Sequence, residues 1–406
     1  MNWTLDSTIV RVTLWLVAGF LGIAAVSGGC ARGRDRAPLA QRMGPVIPAP
    51  VDVADRLEPI RAREELPALA AAVIRGEHVV ALGAVGVRKL GATEPVTVSD
   101  RFHLGSDTKA MTATLIALLV EQGRLAWSTT LAEAFPELRE TMDPAYRDVT
   151  LEQLLQHRGG IAADLLRDGL FVRLRQGQGT LREQRQMLVE TVLRWPPAVP
   201  PGEQFLYSNA GYVIAGVMAE RVTGELWEDL MRQRLFEPLG MTSAGFGAPG
   251  RPDIVDEPRG HNAGWLRATA VEPGPGADNP PALGPAGTVH CALLDWAKFV
   301  SLHLRGESEA TGFLKPETFV RLHTLAPRGE YAMGWGVSQH PREGRVLLHA
   351  GSNTLWFVQA WLVPEQKYAI LVATNVGGDR AEHATGVAIE DLIAWVHERP
   401  VPAPPR

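Results

Sequence analysis

The chain is poor in the residues that build staples and metal cages. It has two cysteines, Cys30 and Cys291, in 406 residues, which excludes a disulfide framework and leaves too few thiolates for a structural zinc site. Its eleven histidines form no His-Glu-x-x-His pattern or other close pair of ligand type, which disfavours a metal enzyme, and no organic cofactor is indicated. Basic stripes are missing too. The forty Lys and Arg residues are scattered and the formal net charge is −5, so no nucleic-acid surface is indicated and the expected partner is a small-molecule or peptide-like substrate. Lysine is the scarcest charge: Lys89, Lys109, Lys298, Lys315 and Lys367 are the five, and arginine supplies the rest.

What is present begins with a leader. Arg11 precedes an apolar run from Val12 to Val26, followed by Ser27, Gly28 and Gly29. The run is short for a membrane span and reads as an export signal over residues 1–30. Cys30 directly after the small residues resembles the lipid-attachment cysteine of bacterial lipoproteins, although Ser27 stands where an aliphatic residue is usual. A plain cleaved signal and an uncleaved anchor remain open beside lipidation. The expected location is the cell envelope or periplasm, with possible membrane attachment at Cys30. Residues 31–50, rich in Arg, Pro and small residues, read as a tether, and 399–406 as a tail.

Between them lies one folded unit, 51–398. A helix is expected over Val51 to Glu64, then two strands, Ala68 to Arg75 and His78 to Val85, joined at Gly76-Glu77. Strand character returns at Arg345 to His349, Leu355 to Val363 and Tyr368 to Thr374, before a closing helix at about Ala381 to Glu398. Strands at both ends around a helix-rich middle predict an α+β fold: one antiparallel sheet built from 51–105 and 330–398, helices packed on it, and a mainly helical insertion, 106–329. The middle helices are expected at Leu151 to Leu155, Leu181 to Leu193, Tyr212 to Arg221 and Leu226 to Leu235. Gly245 to Gly287 reads as an irregular surface excursion. The cleft should lie where sheet and helices meet.

The stretch Gly105-Ser106-Asp107-Thr108-Lys109 opens an apolar, helically spaced run from Ala110 to Glu121. Ser106 should sit at the helix start with Lys109 one turn on, facing the same way. A helix start offers free N–H groups to developing negative charge. In a chain that otherwise chooses arginine, a lysine here suggests that losing a proton matters, and burial could bring its pKa down. A capping serine followed by a solvated lysine would produce the same letters. Tyr207-Ser208-Asn209 lies after Pro200-Pro201-Gly202. Extended alternation there would put Tyr207 and Asn209 on one side and turn Ser208 away. Tyr207 could act as a base only if a positive neighbour such as Lys109 lowered its pKa. His349-Ala350-Gly351-Ser352 ends a strand, where glycine lets a ligand approach the backbone and His349 could donate to an anion or shuttle a proton.

Taken together, Ser-x-x-Lys, Tyr-x-Asn and a basic residue followed by x-Gly resemble the signature motifs of the penicillin-recognising serine hydrolases, nearest to class C β-lactamases and related esterases. Phe102 to Gly105, Leu154 to Ile161 and Pro238 to Met241 look like landmarks of the same family. The resemblance implies a β-lactamase/transpeptidase-like fold and a serine hydrolase acting on ester, peptide-like amide or β-lactam substrates. It implies Ser106 as the acylated nucleophile, Lys109 and Tyr207 as the proton-transfer pair and Asn209 as a substrate contact. His349, Gly351 and Ser352 would complete the binding edge, with the backbone N–H groups of Ser106 and Ser352 as the oxyanion hole. The alternative is a protein that keeps the fold to bind penicillins or sense peptidoglycan without turnover. His349 departs from the lysine usual in β-lactamases, which favours substrates lacking a carboxylate. His157 reads as structural.

Overall fold

The computed structural model describes residues 49–264, 267–327 and 329–399. The leader, Cys30, nearly all of the tether and the tail beyond residue 399 lie outside the described residues.

In chain order the strands are β1 (Val51–Asp52), β2 (Ala68–Arg75), β3 (His78–Gly86), β4 (Arg101–His103), β5 (Gly245–Phe246), β6 (Gly260–Asn262), β7 (Thr269–Val271), β8 (Val289–Ala292), β9 (Gly336–His340), β10 (Gly344–Ser352), β11 (Phe357–Val363) and β12 (Tyr368–Thr374). The principal helices are α1 (Ala54–Arg63), α2 (Thr108–Glu121), α3 (Leu181–Leu193), α4 (Asn209–Thr223), α5 (Leu293–Gly306) and α6 (Asp379–Glu398).

Seven strands form the main sheet in the order β1-β3-β2-β12-β11-β10-β9. The N-terminal hairpin therefore joins the C-terminal meander through β2 and β12, where Ala71 lies opposite Val372. All the neighbours are antiparallel except β1 beside β3. Successive side chains of β2 enter two different cores. Ala68, Ala70, Ala72 and Ile74 face the larger one with α2, α4 and α5, while Leu69, Ala71 and Val73 face the core under α1 and α6. A sheet covered on both sides has no polar face, so β2 is apolar from Ala68 to Ile74 and β12 lacks charge throughout. A buried Leu or Ile there contributes about 1.5–3 kcal/mol.

Helix α2 is the axis of the larger core. Eleven of its residues are buried, Lys109 among them, and a helix apolar all round belongs inside the protein. The strand β4 leading into it pairs with β8, and β8 with β5. These sheets place the start of α2 against the end of β10.

The α+β architecture agrees with the expectation from the sequence, and several details differ. The expected first helix is shorter, because Val51 and Asp52 add a strand beside β3. The stretch 245–287 is no mere surface excursion: β6 pairs β7, and Arg259 and His261 are fully buried, with His261 Nδ1 2.7 Å from the Asn375 carbonyl. Helix α4 starts at Asn209, three residues before expectation, because Ser208 caps it by accepting the Gly211 N–H at 3.3 Å. Cys291 is a buried free thiol.

Candidate active site

Gly105–Asp107 forms a single 3₁₀ turn that runs straight into α2. Three anchors fix it: Leu104 N–H donates to Val289 O at 2.8 Å, Asp107 N–H to Leu104 O at 3.1 Å, and Val289 N–H to Thr108 Oγ1 at 3.1 Å. Behind the turn, His103 accepts the Gly105 N–H on Nδ1 at 3.1 Å, places Nε2 2.7 Å from Asp278 Oδ1 and stacks on Trp356. Gly105 has φ +50°, a conformation that costs glycine little. A Cβ there would lie 2.4 Å from the Ser352 nitrogen. One on Gly351 would lie 2.0 Å from Leu104 O and 2.5 Å from Asp107 Oδ2. The two glycines thus let the end of β10 close directly onto the serine turn.

Lys109 is completely buried one turn after Ser106. Its Nζ is 3.0 Å from Ser106 Oγ, 2.8 Å from Asn209 Oδ1 and 2.7 Å from Ala286 O. Asn209 and Ala286 present acceptors, and an uncharged amine has two N–H donors for them and one lone pair left for the serine hydroxyl. The electrostatics agree: burial holds Lys109 well below the ordinary lysine value, opposed by the nearby Asp107 carboxylate. Such an amine can take a proton from Ser106.

Tyr207 lies with its ring centroid 4.8 Å from Lys109 Nζ. Burial pushes the phenol above its usual value, opposed by the Ser106 hydroxyl nearby. The lowering imagined from a charged Lys109 is not what burial leaves: the phenol is raised, and the lysine's own pKa is brought down. Tyr207 therefore keeps its proton and can donate it to an atom beside Ser106 Oγ. Ser208 turns away as expected, giving its hydroxyl to Ala162 O at 2.9 Å, while its N–H donates to His157 Nδ1 at 3.0 Å. His157 packs against Tyr207 at 4.2 Å between centroids, a wall for the phenol.

Of the expected residues, the structure gathers Ser106, Lys109, Tyr207 and Asn209 around one point, with Gly351 and Ser352 closing on the same turn. The Ser352 hydroxyl is occupied, donating to Trp356 O at 2.6 Å, so Ser352 presents backbone to the turn. His349 differs from expectation. It is buried, with Nε2 2.9 Å from the Tyr331 hydroxyl and Nδ1 2.9 Å from Ala350 O. Sequence reasoning gave no role to Asp107, Tyr331 or the Ala286 carbonyl. Asp107 alone carried a signal, as a carboxylate at the head of an apolar helix.

The β-lactamase family model matches residues 53–392. Relatives include Penicillin-binding protein 4 of Amycolatopsis lactamdurans, 32% identical over 251 residues and covering 62% of each chain. Unguisins hydrolase ungD of Aspergillus violaceofuscus is 25% identical over 82% of this chain and 64% of its own. Lovastatin esterase of Penicillium rubens is 31% identical over 52% of each. The chain thus spans between 52% and 64% of the length of these relatives. Among solved structures, the octameric penicillin-binding protein homologue from Pyrococcus abyssi superposes with a TM-score of 0.69 at 23% identity, over 84% of this chain and 76% of that one. The D-alanine carboxypeptidase AmpC from Burkholderia cenocepacia gives 0.66 at 19%, over 83% and 97%. A shared fold, and a family match that runs from α1 almost to the end of α6, establish that the chain belongs to the β-lactamase family.

Proposed function

We propose that the protein is a serine hydrolase that forms an acyl-enzyme at Ser106 and releases it with water. The observation that carries this is the fully buried Lys109, with Nζ 3.0 Å from Ser106 Oγ and a pKa that burial holds well below the ordinary lysine value. As Oγ attacks a carbonyl carbon, its proton passes to Lys109, and the carbonyl oxygen becomes an anion. The N–H groups of Ser106 and Ser352, brought side by side by Gly105 and Gly351, receive that charge. The leaving group departs with a proton from the Lys109–Tyr207 pair, and water enters by the same path in reverse. Asn209 holds Lys109 and offers its amide to the substrate.

The acyl donor is an ester or peptide-like amide in preference to a β-lactam. His349 is engaged at both ring nitrogens, so β10 offers no flexible cation to a substrate carboxylate. The names of two relatives, a hydrolase and an esterase, support this choice. Export, with a lipid on Cys30, is carried by the leader sequence alone.

The test combines labelling and turnover. A fluorophosphonate probe should label the wild type, and Ser106→Ala should abolish labelling without changing the melting temperature. In steady state, short nitrophenyl esters should turn over faster than D-amino-acid amides, and both faster than a chromogenic cephalosporin. Labelling of Ser106 with no turnover of any substrate would replace the hydrolase by a binding protein, and cephalosporin as the best substrate would reverse the preference.

A further inference from the structure

Asp107 directly follows the serine, is 2% exposed, and leaves both carboxylate oxygens buried without a hydrogen bond. Leaving such a group uncompensated is costly. The nearest cationic candidate is His349, whose Nδ1 is 3.6 Å from Asp107 Oδ2.

The contacts of His349 suit a ring that donates from both nitrogens. Nε2 lies 2.9 Å from the Tyr331 hydroxyl, an oxygen that can accept a hydrogen bond as well as give one. On the other side Nδ1 faces the Ala350 carbonyl at 2.9 Å, an oxygen with no hydrogen to offer. A ring that donates from both nitrogens is an imidazolium, the form that would answer the Asp107 charge.

Building on the hydrolase reading above, we propose that Asp107 and His349 form a buried ion pair that positions the N–H groups of Ser106 and Ser352 for the oxyanion. The pair spans the joint that matters: Asp107 is one residue after Ser106, His349 three before Ser352, and Gly351 touches both sides. His349 thereby acts through the backbone, as a positioning residue, and substrate is held elsewhere. Burial raises the Asp107 carboxyl to about 6, opposed by the nearby His349. The groups facing it are Lys109 on α2, His349 on β10, Tyr207 ahead of α4 and Tyr331 ahead of β9. The pair is intact above that pH and is lost as Asp107 takes up a proton below it.

The test has two arms. In the first, kcat and KM for an uncharged nitrophenyl ester are followed from pH 4.5 to 8 in the wild type, Asp107→Asn, His349→Gln and the double variant. Each single variant should lower kcat about tenfold with KM within twofold, the double should be no worse than either, as coupled residues behave, and the acid limb near pH 6 should move in Asp107→Asn. Additive losses, a wild-type pH profile in Asp107→Asn, or a His349→Gln effect confined to KM would overturn the proposal. The second arm needs no turnover, so it separates this proposal from the hydrolase reading. The ¹⁵N resonances of the His349 ring, identified by their loss in His349→Gln, should show both nitrogens protonated at pH 7.5, and a neutral imidazole would overturn the pair.

Discussion

Two of the fully buried cations, Arg185 and Lys109, have opposite fates. Arg185 on α3 sits between Glu220 and Glu228, with contacts of 2.6 and 2.5 Å, and further donates to the Ala282 and Pro281 carbonyls. Burial alone would lower its pKa, yet the two carboxylates more than offset that and raise it. Lys109 is as deep, but its hydrogen-bond partners are a hydroxyl, an amide oxygen and a carbonyl, and it is driven towards neutrality. A buried cation with full counter-charge is a rivet. One given only neutral acceptors is a base. The two are connected, because Arg185 holds the Pro281–Leu283 turn that leads into Ala286, one of the acceptors of Lys109.

The comparison can be broken at either cation. Arg185→Met leaves Glu220 buried without its partner and should cost about 3–5 kcal/mol in a denaturant melt, with the pH dependence of residual activity unmoved. A loss below about 1 kcal/mol would show that the carboxylates do not need the arginine. Lys109→Arg puts a permanent charge in place and removes the ability to accept a proton. Turnover should fall at least about a hundredfold, the lower end of general-base contributions, and activity near that of the wild type would reduce Lys109 to a charged neighbour. An exposed pair sharpens the contrast from the other side. Arg380 meets Glu65 with both side chains mostly in solvent, so Arg380→Ala should cost less than about 1 kcal/mol, and less still in high salt.

The pairing of Ser106 with Lys109 was legible because both lie in one helical turn, where spacing dictates proximity. The same holds for the hairpin β2–β3 and the helix α3, whose signals are local. Tyr207 and Asn209 face the site together for a reason other than the expected alternation, since Asn209 opens a helix capped by Ser208. Strand β9 was missed because it is short and bracketed by irregular chain. The roles of Asp107 and His349 were hidden for a different reason. Their meaning depends on a contact across 242 positions, Asp107 to His349, and on a tyrosine at 331 that no motif marks. The expectation that His349 faces substrate rests on its place at a strand end, while its ring contacts, the Tyr331 hydroxyl and the Ala350 carbonyl, are visible only in the fold.

The position of β2 in the sheet has a consequence for how the protein is made. Its pairing edge opposite β3 belongs to β12, so Ala71 must wait for Val372. At synthesis rates of about 5–20 residues per second the hairpin stands unfinished for roughly 15–60 s, presenting an open edge that is apolar from Ala68 to Ile74. Helices can form during that interval, but the sheet cannot close. A nascent chain is therefore most exposed to misassociation late in its synthesis. Any truncation before β12 would make that edge permanent and turn the strand into a template for other chains.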